Sequence, residues 1–323
     1  MPGTDAREYD EALRTVLGEL PDLPHLPELP GRGAHASMTG RALAVVTGLD
    51  ADLQPAGWRL TGSSGSSGMD HRRARSLLAQ DLDALEERTH GFEGRLKVQV
   101  TGPWTLAATV EKPRGDRVLS DHGARRELAQ ALAEGLREHV ADVQRRVPGA
   151  ELVVQVDEPA LPFVLAGQVP TASGLHRHRS VHPPEASALL EQVFAAVTDA
   201  GAVPVAHCCA SDVPVGLLVG AGARGVSVDL GLLPPAAYDD VATLLESGAP
   251  VMLGVVPAAD PETPPTEKAL TDRVLRFLDM LGFDPGAVGQ ALVVTPACGL
   301  AGASTAYARA ALQQTRAIAA HLS

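Results

Sequence analysis

Residues 202–209 read Ala-Val-Pro-Val-Ala-His-Cys-Cys, an apolar run that ends in three residues able to bind or react. Two other apolar runs end in a similar way. Residues 225–229 read Gly-Val-Ser-Val-Asp, and residues 292–298 read Leu-Val-Val-Thr-Pro-Ala-Cys. Near-continuous runs of small aliphatic residues are typical of strands that are buried on both faces of a parallel sheet. The three stretches therefore predict neighbouring strands whose carboxyl ends carry reactive side chains.

Strand-like and helix-like stretches alternate along most of the chain. Strands are predicted at 57–61, 95–101, 151–157, 203–207, 225–230, 250–256 and 292–295. Such alternation indicates an α/β fold in which helices cover a parallel sheet. Seven strands are one fewer than a closed (β/α)8 TIM barrel contains. Residues 1–323 are predicted to form a single barrel domain, with a flexible Gly/Ser loop at 62–68.

Composition narrows the class of protein. Hydrophobic residues make up 45% of the 323 residues and aromatic residues only 3%, so the core has to be built from small aliphatic side chains. The net charge of −12, without a basic run, argues against nucleic acid or an acidic membrane surface as a partner. No apolar stretch approaches the roughly 18–20 residues that span a bilayer. Three cysteines, two of them adjacent, form no disulfide framework, which favours a cytoplasmic location.

The residues at the predicted strand ends could form a metal site. His207 and Cys209 are two residues apart, so in an extended strand both side chains point the same way, whereas Cys208 points away and is expected to pack. Asp229 and Cys298 end two other strands. One nitrogen, two sulfurs and one oxygen form a tetrahedral zinc set. The alternative is that these are ordinary core cysteines and a hydrogen-bonded histidine.

Two further strand ends carry candidate substrate-binding residues. After one strand comes Asp157-Glu158, and a carboxylate at this place could hold a substrate ammonium group; alternatively, it caps the next helix. After another comes Thr101-Gly102-Pro103-Trp104, where glycine permits close approach of a ligand and Trp104 offers a flat apolar wall. The alternative for this second motif is a strand-to-helix turn with a tryptophan in the core.

Taken together, these motifs resemble the C-terminal catalytic domain of cobalamin-independent methionine synthase, a family grouped with the uroporphyrinogen-decarboxylase-like (β/α)8 barrels. The resembling stretches are 100–105, 155–161, 206–211, 227–230 and 295–300. The resemblance implies a zinc ion held by His207, Cys209, Asp229 and Cys298. It also implies a zinc-dependent methyltransferase in which homocysteine, bound as a thiolate, attacks the methyl group of a pterin-type donor or another methylated carrier to give methionine. Asp157 would bind the amino group of the substrate and count as the catalytic residue.

The chain departs from the family pattern in several places. Asp229 stands where the family usually has glutamate, and the loop after residues 253–257 carries no histidine, whereas the family has one there. The family's glutamate motif after the second strand is not visible in the sequence. Residues 2–5 resemble the tail of the family's Gly-Ser-x-Pro-Gly segment, so the first strand and a substrate-binding serine are expected to be absent, as is the N-terminal folate-binding half.

These departures leave other functions open. One is zinc-dependent alkyl transfer to a different thiol, and another is a catalytically inactive barrel that binds zinc or a thiol. A third is a decarboxylase-like barrel without metal, which would require basic residues converging on the site to bind carboxylates.

Overall fold

The structure is a computed structural model that describes residues 1–61 and 68–322. The loop predicted at 62–68 therefore lies, except for Gly68, outside the described residues. The strands are β1 Ala51–Gln54, β2 Gly57–Leu60, β3 Gly94–Thr101, β4 Ala150–Asp157, β5 Val203–Cys208, β6 Val226–Asp229, β7 Val251–Val256 and β8 Leu292–Pro296. The helices are α1 Ala6–Glu19, α2 Met38–Val45, α3 Met69–Arg88, α4 Pro103–Thr109, α5 His122–Arg146, α6 Leu161–Leu165, α7 Pro183–Asp199, α8 Val215–Gly220, α9 Tyr238–Glu246, α10 Glu267–Leu281, α11 Pro285–Val288 and α12 Thr305–Leu322.

The centre of the fold is a curled parallel sheet of six strands in the order β3-β4-β5-β6-β7-β8. Each strand pairs with the next one along the chain, because a helix connects the two and returns the backbone to the same edge. The burial of every residue in β7 fits a strand covered on both faces. In the described part of the chain the sheet forms a half-barrel with β3 and β8 at its edges, and the full (β/α)8 barrel is not seen.

The strand predicted at 57–61 does not join this sheet. Residues 57–60 form β2 and pair antiparallel with β1, with Gln54 opposite Gly57. Only two residues separate the two strands, so the chain closes a local hairpin more readily than it reaches a distant parallel partner. The expected seven parallel strands are thus six.

The outer edge of β3 is covered by residues 24–26, a segment within the proline-rich stretch 23–30. The N–H of Leu26 donates to the carbonyl of Lys97 (2.9 Å), and the N–H of Lys97 donates to the carbonyl of Pro24 (2.9 Å). Proline lacks an N–H and is tolerated at such an edge position. The segment therefore lies beside β3 in parallel, at the place where a further barrel strand would pair.

A buried ionic cluster fixes the residues that follow this segment. The carboxylate of Asp81 accepts two hydrogen bonds from Arg32 (2.8 and 2.7 Å) and one from Arg41. Arg41 also donates through Nε to Glu28 Oε1 (3.2 Å), and the Arg32 guanidinium lies over the ring of Tyr9. Because removal of one partner would leave a buried charge unpaired, the cluster holds α1, α2 and α3 to the segment that carries Glu28.

The register of the sheet brings strand ends to a common level. Thr101 lies opposite Asp157, Asp157 opposite His207, and His207 opposite Ser227. Asp229, two residues beyond Ser227, lies opposite Gly254 and hence one layer nearer the carboxyl ends. Parallel strands therefore gather polar side chains from different parts of the sequence at one edge of the sheet.

Candidate metal and substrate site

Two thiols and an imidazole meet at the carboxyl ends of the strands. The Sγ atoms of Cys209 and Cys298 lie 2.7 Å apart, although 89 residues separate them in the chain. Ligand atoms of Cys209, Cys298 and His207 all lie within 4.8 Å of one another. This group could hold a metal ion, and it contains three of the four residues predicted from the sequence.

Asp229 is placed outside this group. Its Oδ1 accepts a hydrogen bond from the N–H of Gly231 (2.7 Å), which turns the carboxylate back onto its own loop. Among the described residues, the acidic side chains contribute no atom to the group of three. The sequence predicted Asp229 as a ligand from its place at a strand end, and the structure shows it at that strand end without bringing it to the thiols.

His207 is oriented by Ser227 on the neighbouring strand. Its Nδ1 lies 3.0 Å from both the carbonyl oxygen and the Oγ of Ser227. A carbonyl oxygen can only accept, so Nδ1 carries the proton and donates it. When the imidazole is neutral, Nε2 therefore keeps its lone pair, which is the form in which histidine binds metals.

A glycine in β7 permits the close approach of Cys298. A Cβ atom at position 254 would lie 2.6 Å from the Cα of Ala297. Such a contact would push the residues after β8 away from the sheet, and with them the second thiol. Gly254 is therefore a structural requirement of the site.

The two thiols perturb each other strongly. The hydrogen bond between them lowers the pKa of Cys298, and His207 acts in the same direction. The same bond, together with burial, raises the pKa of Cys209. The pair thus favours one thiolate that accepts a hydrogen bond from the other thiol. Cys208 packs in the apolar core as predicted, and this burial raises its pKa to about 12.

Asp157 lies beside the metal-binding group, and one of its carboxylate oxygens accepts a hydrogen bond. The side-chain N–H of Gln155 donates to Asp157 Oδ1 (2.7 Å). Burial raises the pKa of Asp157 to about 6; the charge of His207 opposes this shift, and that of Glu28 adds to it. Asp157 is only 9% exposed, so its carboxylate is poorly solvated. A cationic substrate group could therefore form an ion pair with it.

The three other predicted substrate-binding residues form hydrogen bonds to backbone groups. Glu158 is fully buried and accepts hydrogen bonds from the N–H groups of Trp104 (2.9 Å) and Thr105 (2.8 Å). Trp104 is also fully buried, and its indole N–H donates to the carbonyl of Ala186. The hydroxyl of Thr101 donates to the carbonyl of Met38 (2.9 Å). The sequence predicted that these side chains contact a substrate. In the structure, both carboxylate oxygens of Glu158 instead cap α4.

The burial of Glu158 predicts a dependence of stability on pH. Burial raises the pKa of its carboxyl group from 4.5 to about 7, although the hydrogen bonds from Trp104 and Thr105 act in the opposite direction. Between these values the folded chain binds the proton more tightly than the unfolded chain, so the free energy of unfolding should fall as pH rises from about 4.5 to 7. Glu158→Gln cannot titrate and should show a shallower decline, with Asp157 still contributing. Urea unfolding at a series of pH values measures the slopes.

Glu151→Gln is the matched control, since Glu151 is exposed at the other end of β4. It should keep the slope of the unchanged protein. Equal slopes for Glu158→Gln and the unchanged protein would contradict the prediction.

Sequence reasoning missed residues that the fold adds to the site. Glu28 follows the segment beside β3, and its charge acts on both Asp157 and Lys97. The only signal was its position two residues after an extended segment. Ser227 was visible only as the polar residue two before Asp229 in an otherwise apolar run.

Comparison with known proteins identifies the family of the chain. The family described as "Cobalamin-independent synthase, Catalytic domain" matches residues 88–321. The chain belongs to this family. The resemblance drawn from the motifs is therefore confirmed, and so is the prediction of a methyltransferase-type enzyme. The matched residues include the strands that lead to Asp157, His207 and Cys298. No curated protein matches the chain.

The fold of the chain is similar to that of a solved methionine synthase. A B12-independent methionine synthase from Shewanella sp. W3-18-1, solved in complex with selenomethionine, is 15% identical with a TM-score of 0.63. The match covers 98% of this chain and 89% of that one. The carboxyl transferase domain of Rhizobium etli pyruvate carboxylase, solved with 3-bromopyruvate, is 13% identical and has a TM-score of 0.29, with 76% and 43% covered. Only the first similarity carries an argument about the fold.

In the described residues, every helix is too short or too polar to cross a bilayer.

Proposed function

We propose that this protein is a zinc-dependent methyltransferase that methylates a small amino-acid thiol, with homocysteine as substrate and methionine as product. The observation that supports this most directly is the meeting of His207, Cys209 and Cys298 beside Asp157, in a chain of the cobalamin-independent synthase family. The methyl donor would be a methylated pterin or another methylated carrier.

The donor set fits zinc. Two thiolates and a neutral imidazole are ligands that zinc accepts readily, and the Nδ1–H of His207 is already committed to Ser227. Three protein ligands leave one tetrahedral position for a substrate, as in catalytic zinc sites. Asp229 remains our proposed oxygen ligand when no thiol is bound, because its loop lies at the same edge of the sheet.

The residues of the chain would divide the work as follows. When bound, zinc lowers the pKa of a coordinated thiol, so that a thiolate nucleophile exists at neutral pH. Asp157 pairs with the substrate ammonium and thereby directs the substrate sulfur towards the thiol ligands. The sulfur forms a bond to the methyl carbon while the bond from that carbon to the donor nitrogen breaks; the nitrogen keeps the electron pair and takes a proton. Glu158, Trp104 and Thr101 hold the strand ends in place.

The architecture and setting are part of the same proposal. We regard the half-barrel as the (β/α)8 architecture, with the segment beside β3 in the place of the second strand and residues 1–323 acting as one catalytic domain. A pair of thiols 2.7 Å apart must stay reduced to bind a metal, which supports a reducing compartment such as the cytoplasm. The acidic net charge supports the absence of nucleic-acid and membrane partners.

The proposal predicts one zinc ion per chain and methyl transfer to a thiol. Metal analysis of the purified protein, followed by assays that combine several thiols with several methyl donors, tests both parts. Zinc-dependent methionine formation from homocysteine is the expected result. Turnover only with another thiol would favour the alternative alkyl transfer, and protein that binds no zinc and methylates no thiol would contradict the proposal.

A further inference from the structure

A chain of hydrogen bonds runs along the inner face of the sheet and ends on Asp157. The ammonium of Lys97 on β3 donates to Gln155 Oε1 on β4 (2.8 Å). The Nε2 of Gln155 then donates to Asp157 Oδ1 (2.7 Å). Gln155 and Asp157 are two residues apart on one strand, so their side chains lie on the same face. None of the predicted substrate or metal roles uses Lys97 or Gln155.

Lys97 is held firmly in an unusual place for a cation. Both of its backbone polar groups are bonded to the segment beside β3, through Pro24 and Leu26. Its side chain is partly buried, and within the described residues no carboxylate lies within 4 Å of its nitrogen. The charges of Asp157 and Glu28 nevertheless act on it. A lysine whose only close side-chain partner in the described part of the chain is a neutral amide suggests a role beyond a local ion pair, since a buried charge is costly without one.

The chemistry of Lys97, Gln155 and Asp157 fixes which atom donates and which accepts in each of the two hydrogen bonds. Lysine can only donate, so the carbonyl oxygen of Gln155 must face Lys97. The amide NH2 group of Gln155 must then face Asp157, which allows it no flipped alternative. Asp157 Oδ1 is thereby occupied, while Oδ2 has no hydrogen-bond partner among the described residues. One oxygen anchors the carboxylate and the other remains open to a ligand.

We propose that Lys97 and Gln155 are positioning residues that make the site selective for thiols bearing an ammonium group. They hold Asp157 as a carboxylate with one free oxygen, and this oxygen receives the substrate ammonium. The inference rests on the proposed methylation of an amino-acid thiol and deepens it by naming the two residues that position the carboxylate which selects the ammonium. Lys97 itself acts through Gln155 and Asp157 and does not contact the substrate.

The test compares two thiols that differ in one group. L-homocysteine carries the ammonium, and 4-mercaptobutanoate lacks only that group. With the zinc-loaded protein, Lys97→Met should raise KM for homocysteine about tenfold or more, with kcat and zinc content little changed. KM for 4-mercaptobutanoate should stay the same. Lys268→Met, which removes an 83% exposed lysine of α10, is the control and should change neither value.

A second variant guards against a folding defect. Gln155→Glu keeps a partner for Lys97 but replaces the N–H donor to Asp157 by an oxygen. It should lose the preference for homocysteine in the same way. If either variant folds and keeps the preference of the unchanged protein, the inference is overturned.

A double-mutant cycle separates positioning from direct contact. If Lys97 acts through Asp157, Lys97→Met should add nothing to the loss of homocysteine binding caused by Asp157→Asn. Additive losses would mean that Lys97 contacts the substrate itself, or acts only on stability, and would overturn the inference.

Failure of the proposed function gives a different pattern. Equal methylation of both thiols by the unchanged protein would keep the methyltransferase and overturn the ammonium selectivity. Homocysteine binding that depends on Lys97 in calorimetry, without methylation of any thiol, would overturn the methyltransferase and keep the selectivity.

Discussion

Cys298→Ser and Cys209→Ser should each cost the protein its stoichiometric zinc and, with it, methyl transfer to homocysteine. The Sγ atoms lie 2.7 Å apart with the imidazole of His207 alongside, so each thiolate would supply one of three protein ligands. A structural zinc site is worth about 10–16 kcal/mol, and loss of about a third of this weakens binding by roughly 10²–10⁴-fold. Metal analysis after dialysis against a weak chelator, together with the rate of methionine formation, measures the effect.

Cys208→Ala is the matched control, because Cys208 lies between the two ligand positions 207 and 209 but is buried away from the site. It should keep one zinc per chain and the rate of the unchanged protein, with a small loss of stability from the missing sulfur. Serine variants of Cys209 and Cys298 that retain full zinc and full activity would refute the metal site.

That His207, Cys209 and Cys298 lie close together could be predicted, because the sequence indicates where each strand ends. An apolar run marks each strand, and parallel strands present their carboxyl ends at one edge. The same reasoning selected Asp229, yet a strand end gives only a position. Whether the carboxylate faces the thiols depends on the loop after β6, where the N–H of Gly231 competes for it. Hydrogen bonds of this local kind leave no pattern in the sequence.

The roles of Glu158 and Trp104 show a second limit. Asp157 and Glu158 are consecutive residues at the end of β4, and from the sequence either carboxylate could have met a substrate. Their different surroundings depend on α4, whose first N–H groups need an acceptor and find Glu158. Gly102 permits this, because a side chain there would collide with the Glu158 carboxylate. A helix cap supplied from another strand is a tertiary contact, so the sequence left both possibilities open.

The strand count failed for a related reason. Alternation identified β3 to β8 and the helices between them, and these form the half-barrel. Residues 57–60 have strand-like composition, but composition does not name the partner of a strand. Conversely, the segment that pairs with β3 is rich in proline, and its composition does not show that it lies beside a strand. Glu28 follows that segment, so its place near Asp157 could not be inferred without the pairing.

Asp157→Asn should lower kcat/KM for homocysteine roughly 100-fold or more while leaving one zinc per chain. Asparagine keeps the size of the side chain and an oxygen that can accept the hydrogen bond of Gln155. It removes the charge that would pair with the substrate ammonium in a largely buried setting, where a hydrogen-bonded ion pair is worth about 3 kcal/mol or more. Steady-state kinetics with homocysteine and zinc analysis of the same preparation measure the two effects separately.

The comparison with a thiol that lacks the amino group makes this prediction specific. Methylation of 4-mercaptobutanoate should be slow in the unchanged protein and no slower in Asp157→Asn, because the lost charge has no partner there. Glu151→Gln removes a carboxylate from the exposed end of the same strand and should leave both rates as they are. An equal fall with both thiols would mean that Asp157 supports the metal-binding group, in line with its place opposite His207, rather than the substrate. Selectivity for the ammonium would then have to come from Glu28, the other carboxylate whose charge reaches this edge of the sheet.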